Sequence, residues 1–229
     1  MPHFVLVHGS GQNASCWARS AERLRAQGHA TTAVELAKNA PSLTLEDHAH
    51  AIADAVADPD DVVVAHSLSG AFLPLVPALA RCRLLVFLAA VIPEPGKSIR
   101  DQFTGDTTMF APDWIAAGAR WFDPKEQQGL AREFLFHDCA AEDLPWSLAS
   151  VEAIDTRTLV TEPCPLADYP EVATAAIVAT QDRTLTPDWI RRTSARVLGR
   201  APMEIGSGHC PMNSRPAELA GLLAQLAAR

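Results

Sequence analysis

Asp61–Gly70 reads DVVVAHSLSG: an acid, a run of valines, then a serine among small residues. A buried parallel strand reads as a continuous β-branched run, which predicts a strand over Val62–Ala65. Leu68–Leu79 is apolar and broken only at Pro74 and Pro77, which predicts that it starts as a helix. Strand, serine, helix is a setting in which a sharp turn holds a serine hydroxyl out at the sheet edge. A hydroxyl is a weak nucleophile at neutral pH. Ser67 would therefore need a base, a group to orient that base, and donors for a developing oxyanion.

Outward from this stretch, strands alternate with helices. Phe4–Val7 is a short apolar strand that ends in the loop HGSGQN. A helix follows through Trp17, Ala21 and Leu24, with Gly28 as its C-terminal stop. HATTAVEL is a second strand. SLTLEDHAHAIADAVA is an amphipathic helix started by Ser42 or Thr44. RLLVFLAAVIP, AAIVAT and APMEIG read as further strands, with helices over PDWIRRTSARVLG and PAELAGLLAQLAAR. Such alternation means βαβ units, right-handed crossovers and an α/β fold with a mostly parallel sheet of about six strands. From Glu94 to Val172 the rhythm breaks into tryptophans, prolines and short helical pieces. That stretch is too long for a simple connection. It is expected to be a helical cap over 94–172, inserted into a core of 1–93 and 173–229.

Composition narrows the function classes. The chain has 229 residues, 48% of them hydrophobic, and a formal net charge of −8. The acidic balance argues against a nucleic-acid partner, and no apolar run approaches the roughly 20 residues of a membrane span. The N-terminus lacks a basic n-region. Five widely spaced cysteines form no CxxC pair, a pattern of free thiols in a reducing compartment. A cytoplasmic enzyme without cofactor or metal is expected.

In an open α/β sheet, functional groups gather at the C-terminal ends of strands. Ser67 sits there, in Ala65-His66-Ser67-Leu68-Ser69 followed by Gly70. His209, in GSGHCPMN, follows the last strand, and Asp182, in ATQDRTLTP, follows the strand before it. The chain order Ser…Asp…His, each member after a strand, is that of a nucleophile, orienting acid and base on an α/β sheet. Glu94 is a rival acid, and Asp182 is preferred. Oxyanion donors are expected from the backbone N–H groups of Leu68 and Ser10. His8 is expected to brace the first loop, and Ser69 to be the small residue the turn demands. His66 is expected to pack away from the serine. His48 and His50, two apart on a helix, read as solvated side chains. Cys210, beside the base, reads as a thiol sensitive to alkylation. Phe110, Trp114, Trp121, Phe122 and Trp146 are expected to line an apolar substrate pocket, with Gly9 and Cys210 at its base.

HFVLVHGSGQNASCW, VVVAHSLSG and GSGHCPMNSRPAEL resemble the opening, elbow and histidine loop of the α/β-hydrolase superfamily. The resemblance is to the branch of plant methylesterases, hydroxynitrile lyases and small bacterial esterases. It implies a Ser-His-Asp carboxylesterase acting on a small or medium ester, without cofactor. Relatives of the branch are often homodimers, the one protein partner the resemblance implies. The lyases carry threonine after the first-loop histidine and lysine after the catalytic histidine. Gly9 and Cys210 stand at those positions, a departure that favours ester hydrolysis over lyase chemistry. The alternative from another class is a small-molecule receptor with negligible turnover.

Overall fold

The computed structural model describes residues 1–37, 42–152 and 156–229, with the side chains at 119 and 122 outside that description. Six strands form one parallel sheet: β1 (His3–Val7), β2 (Ala30–Val34), β3 (Val62–His66), β4 (Leu84–Leu88), β5 (Ala173–Ala179) and β6 (Met203–Ile205). The spatial order is β2-β1-β3-β4-β5-β6. Val64 pairs with Leu6 on one side and with Val86 on the other. The order reverses between β1 and β3, so the crevice outside their C-terminal ends is the switch point of the sheet.

Side chains alternate across this sheet with period two, and both faces are covered. Phe4, Leu6, Val62, Val64, Val86 and Leu88 join one buried cluster, which takes in Leu24, Leu219 and Leu223. Val5, Val7, Val63, Ala65, Leu85 and Phe87 join the other, with Leu45, Ile52 and Ile190. β3 and β4 are buried at every residue, which is why their sequences read as unbroken apolar runs.

The helices end where local chemistry ends them. Helix 18–26 stops before Gly28, whose φ of +88° lies in the left-handed region. Helix 45–53 opens on a capping box, in which Thr44 accepts from the Asp47 N–H while Asp47 accepts from the Thr44 N–H. Between β4 and β5 every regular element among the described residues is helical, from 99–105 through 157–161. These pieces contribute Trp121, Phe134 and Leu148 to one apolar cluster and Ile99 and Leu159 to the other, which also takes in Met109 from the loop between two of them.

Two expectations are corrected. The run after Ser67 is no α-helix but two 3₁₀ stretches, 67–71 and 73–78. Pro74 and Pro77 carry no N–H and deny the α-helical bonding pattern its donors. His48 is not solvated: it is buried and stacked on Phe72 at 5.0 Å between ring centroids. His50 is exposed.

The turn after β3 is seated against the chain leaving β4. A Cβ at Gly70 would lie 2.0 Å from the Val91 carbonyl oxygen, whereas one at Gly221, inside helix 216–227, meets nothing within 4 Å. Gly70→Ala should therefore cost about 1–3 kcal/mol or more by overpacking. Gly221→Ala should gain about 0.5–1 kcal/mol from helix propensity. Urea unfolding of the two variants checks the pair.

Candidate active site

Ser67 follows the last residue of β3 and has φ +57°, a left-handed conformation rare for a residue with a side chain. Three contacts hold it there. The Ser69 hydroxyl donates to the His8 carbonyl at 2.5 Å. The Val91 N–H donates to the Ser67 carbonyl at 3.0 Å. Gly9 lies so close that a Cβ on it would stand 2.7 Å from the Ser67 Cβ. Strain of this kind persists only where the surroundings over-determine it, and it concentrates at functional sites.

His209 leaves the loop after β6 and meets Ser67 across the crevice. Its Nε2 lies 2.9 Å from Ser67 Oγ, and its Nδ1 lies 2.7 Å from Asp182 Oδ2. The carboxylate accepts from Nδ1–H, which leaves the Nε2 lone pair facing the serine hydroxyl. Asp182 is itself fixed: its Oδ1 accepts from the Thr184 N–H at 2.7 Å and from the Thr184 hydroxyl at 3.0 Å. The Thr184 oxygen also stands 2.8 Å from His209 Nδ1. Thr184 was absent from the sequence reading. Its signal is the Asp-x-Thr spacing, in which an aspartate caps the backbone two residues on. Glu94, the rival acid, is paired with Arg196 at 2.8 Å and with Lys97 at 3.0 Å.

His8 does brace the first loop. It accepts from the Leu36 N–H at Nε2 (3.1 Å), so Nδ1–H donates to the Gly9 carbonyl at 2.8 Å. Its Nε2 also faces Glu35 at 3.5 Å. His66 does not point clear of the site. Its ring packs on His209 at 4.7 Å between centroids, and its Nε2–H donates to the His209 carbonyl at 2.9 Å. Burial first, and the neighbouring His209 second, hold the His66 imidazole well below the usual histidine range.

Ser67 and His209 open onto a cavity of about 230 Å³. Gly9, Ser10, Leu68 and Cys210 line its base, and Phe110, Trp114 and Trp121 are on its apolar wall. Leu68 is the second residue of a 3₁₀ stretch, where an N–H has no partner within the helix. Trp114 and Trp121 meet edge to face at 5.3 Å. Val91, Ile115, Leu135, Val160 and Leu185 add to the apolar lining. The sequence reading missed them because nothing in a single aliphatic residue marks it as lining a cavity rather than a core. No Asp, Glu, Lys or Arg lines the cavity among the described residues. Trp146 is a correction: it is not among the lining residues, and the Arg19 guanidinium covers its ring at 4.5 Å. The Phe122 side chain lies outside the described residues.

Cys210 corrects the expectation of an alkylation-sensitive thiol. It is fully buried, its Sγ–H donates to Gln12 Oε1 at 3.4 Å, and burial pushes its pKa well above the usual thiol value. None of the five cysteines is in a disulfide. No helix among the described residues is long and apolar enough to cross a membrane.

A serine at positive φ thus sits at the switch point of a parallel sheet, within hydrogen-bond distance of a histidine that is itself paired with an aspartate. The model of the Alpha/beta hydrolase family matches residues 4–222, and the chain belongs to that family. It is 29% identical over 262 residues to Esterase PIR7B of Oryza sativa subsp. japonica, with 98% of this chain and 95% of that one covered. It is 27% identical over 264 residues to Methyl jasmonate esterase 1 of Vitis vinifera, with 98% and 96% covered. Among solved structures, polyneuridine aldehyde esterase with an H244A substitution superposes with a TM-score of 0.78 at 21% identity, covering 98% of each chain. An extracellular alpha/beta-hydrolase from a Paenibacillus species gives 0.78 at 19% identity, again over 98% of each.

Two outcomes follow from the buried groups. Folded His66 resists protonation, whereas the unfolded chain takes up that proton below about pH 6.5. The contribution of His66 is thus complete above that pH and is lost as the pH falls, at up to about 1.4 kcal/mol per pH unit. Thermal melts of wild type and His66→Gln between pH 7 and 5 should show the variant with the shallower slope. Iodoacetamide should label Cys210 of the native protein no faster than the protein unfolds, as peptide mass mapping with and without urea would show.

Proposed function

We propose that the protein hydrolyses small, neutral carboxylic esters through an acyl-enzyme on Ser67. The chain is a carboxylesterase-type α/β hydrolase. The observation that carries the mechanism is the relay Ser67 Oγ–His209 Nε2 at 2.9 Å and His209 Nδ1–Asp182 Oδ2 at 2.7 Å.

Ser67 Oγ attacks the ester carbonyl while its proton passes to His209 Nε2. Asp182 holds Nδ1–H and balances the imidazolium charge across a bond in a largely dry site, where such an interaction is worth more than in water. The N–H groups of Leu68 and Ser10 stabilise the tetrahedral oxyanion, each worth about 2.7–4 kcal/mol. The intermediate collapses as His209 protonates the leaving alkoxide. Water then enters, gives a proton to Nε2 and attacks the acyl carbonyl. A second collapse returns the proton to Ser67 and releases the acid.

The cavity supports the substrate class. At about 230 Å³ it is smaller than the roughly 300–1,000 Å³ of drug-sized sites. Its aromatic and aliphatic wall favours an apolar acyl group, and among the described residues no cation lines it to pair with a charged carboxylate. A hydroxynitrile lyase is disfavoured at Gly9, where any Cβ would meet Ser67 Cβ at 2.7 Å and His66 Nδ1 at 2.9 Å.

Hydrolysis of short p-nitrophenyl and methyl esters by wild type and Ser67→Ala tests the proposal. Wild type should turn over, and the alanine variant should lose about 10⁴-fold or more in kcat. Equal, negligible rates accompanied by tight ligand binding would replace the esterase reading with that of a receptor.

A further inference from the structure

Between the helical stretch that ends at Leu135 and helix 144–149, the chain turns through His137-Asp138-Cys139. His137, Asp138 and their neighbours touch both loops that carry the proposed acid and base. Asp138 Oδ2 accepts from the N–H of Gly208, the residue directly before His209, at 2.8 Å. His137 Nε2–H donates to the Gln181 carbonyl at 3.1 Å, directly before Asp182. The two loops are joined to each other by the Gln181 N–H, which donates to the Ser207 carbonyl at 2.9 Å. Arg183, directly after Asp182, donates to the Glu133 carbonyl at 3.2 Å.

The Asp138 contact is tight and costly. A Cβ at Gly208 would stand 2.6 Å from Asp138 Oδ1 and 2.7 Å from His137 Nε2, so only glycine permits this approach. The Asp138 side chain is 6% exposed, and among the described residues the cation within ion-pair reach of it is Arg215, 4.0 Å from Oδ2. Its Oδ1 is buried without a hydrogen-bond partner. A carboxylate half-satisfied in this way is expensive to bury. A fold that needed only apolar packing here would be better served by a neutral residue. What the carboxylate supplies is an acceptor for the one peptide N–H whose position sets the reach of His209.

We infer that Asp138, assisted by His137, is a positioning residue for the base: it clamps the Gly208 peptide and thereby holds His209 Nε2 on Ser67 Oγ. This rests on the esterase reading above. Removing the acceptor orphans a buried N–H and frees the loop. A displacement of about 1 Å at a reacting group costs on the order of 10²-fold in rate.

The test compares wild type, Asp138→Ala, Asp138→Asn and Gly208→Ala on the same ester, with Ser67→Ala as control. Asp138→Ala should lower kcat about 10–100-fold with KM within about twofold, and Asp138→Asn, which keeps an acceptor oxygen, should recover most of that loss. Gly208→Ala should match Asp138→Ala, because its Cβ breaks the same contact from the other side, and the double variant should be no worse than the poorer single one. The low-field Nδ1–H proton resonance of His209, a signature of its bond to Asp182, should broaden in Asp138→Ala and persist in Asp138→Asn. Wild-type kcat in Asp138→Ala, or equal losses in the Ala and Asn variants with an unchanged proton resonance, would overturn the clamp. Should Asp138→Ala fail to fold, Asn and Gly208→Ala decide the matter alone. An inactive wild type, or activity that survives Ser67→Ala, would overturn the esterase reading itself.

Discussion

The left-handed turn at Ser67 is the constraint around which the site is arranged. A residue with a Cβ held at φ +57° costs of order 1–3 kcal/mol and persists only where its neighbours leave it no alternative. Here the neighbours come from three strands. β1 supplies the His8 carbonyl that accepts from Ser69, and the loop beyond β4 supplies the Val91 N–H that donates to Ser67. β3 brings the chain in, buried at every residue. Glycine at 9 and at 70 is therefore a demand of approach distance, since a Cβ at either would stand closer than 3.0 Å to its neighbour.

Legibility in the sequence follows from how local each signal is. β3 and β4 are read correctly because burial on both faces writes an unbroken apolar run. Ser67, Asp182 and His209 each follow a stretch that reads as a strand, and the structure brings the three side chains within hydrogen-bond reach of one another. The 3₁₀ stretches after Ser67 illustrate the opposite case: an apolar run and two prolines fit a broken helix as well as a tighter one, and hydrogen bonding decides. His48 was legible, since Leu45, His48, Ala49 and Ile52 form the buried stripe of their helix at the spacing of an apolar face. Reading the histidine by its polarity hid the pattern. Trp146 could not be placed, because its cover, Arg19, lies more than a hundred residues away in sequence.

The histidines around the site show how one fold keeps several imidazoles apart in role. His8, His66 and His209 are each at most 3% exposed, yet their partners differ. His8 and His66 give a proton to a backbone carbonyl, which fixes the tautomer and leaves nothing to relay. Of these three, His209 is the one set between a carboxylate and a hydroxyl. His66 packs against it, and on the proposed mechanism an imidazole kept neutral there adds no charge against the imidazolium that would form on His209. On that reading the base depends on its silent neighbours as well as on the aspartate that orients it.

The sheet alone does not complete the arrangement. The loops bearing Asp182 and His209 emerge from β5 and from β6, which is only three residues long, so strand pairing gives the outer loop little rigidity. Their stiffness comes sideways, from segment 94–172. Residues 109–111 bond to 184–186 through the Ala111 and Thr186 N–H groups, and Phe110 bridges Leu185. Residues 150–152 do the same for the first loop: Asn13 N–H donates to the Ser150 carbonyl and Glu152 N–H to the Gly11 carbonyl, on either side of Gln12. The segment that walls the cavity is therefore tied by hydrogen bonds to the loops bearing Asp182, His209 and Gly9. On the proposed mechanism, a change in that segment that altered the cavity wall would also shift the loops that hold the acid and the base.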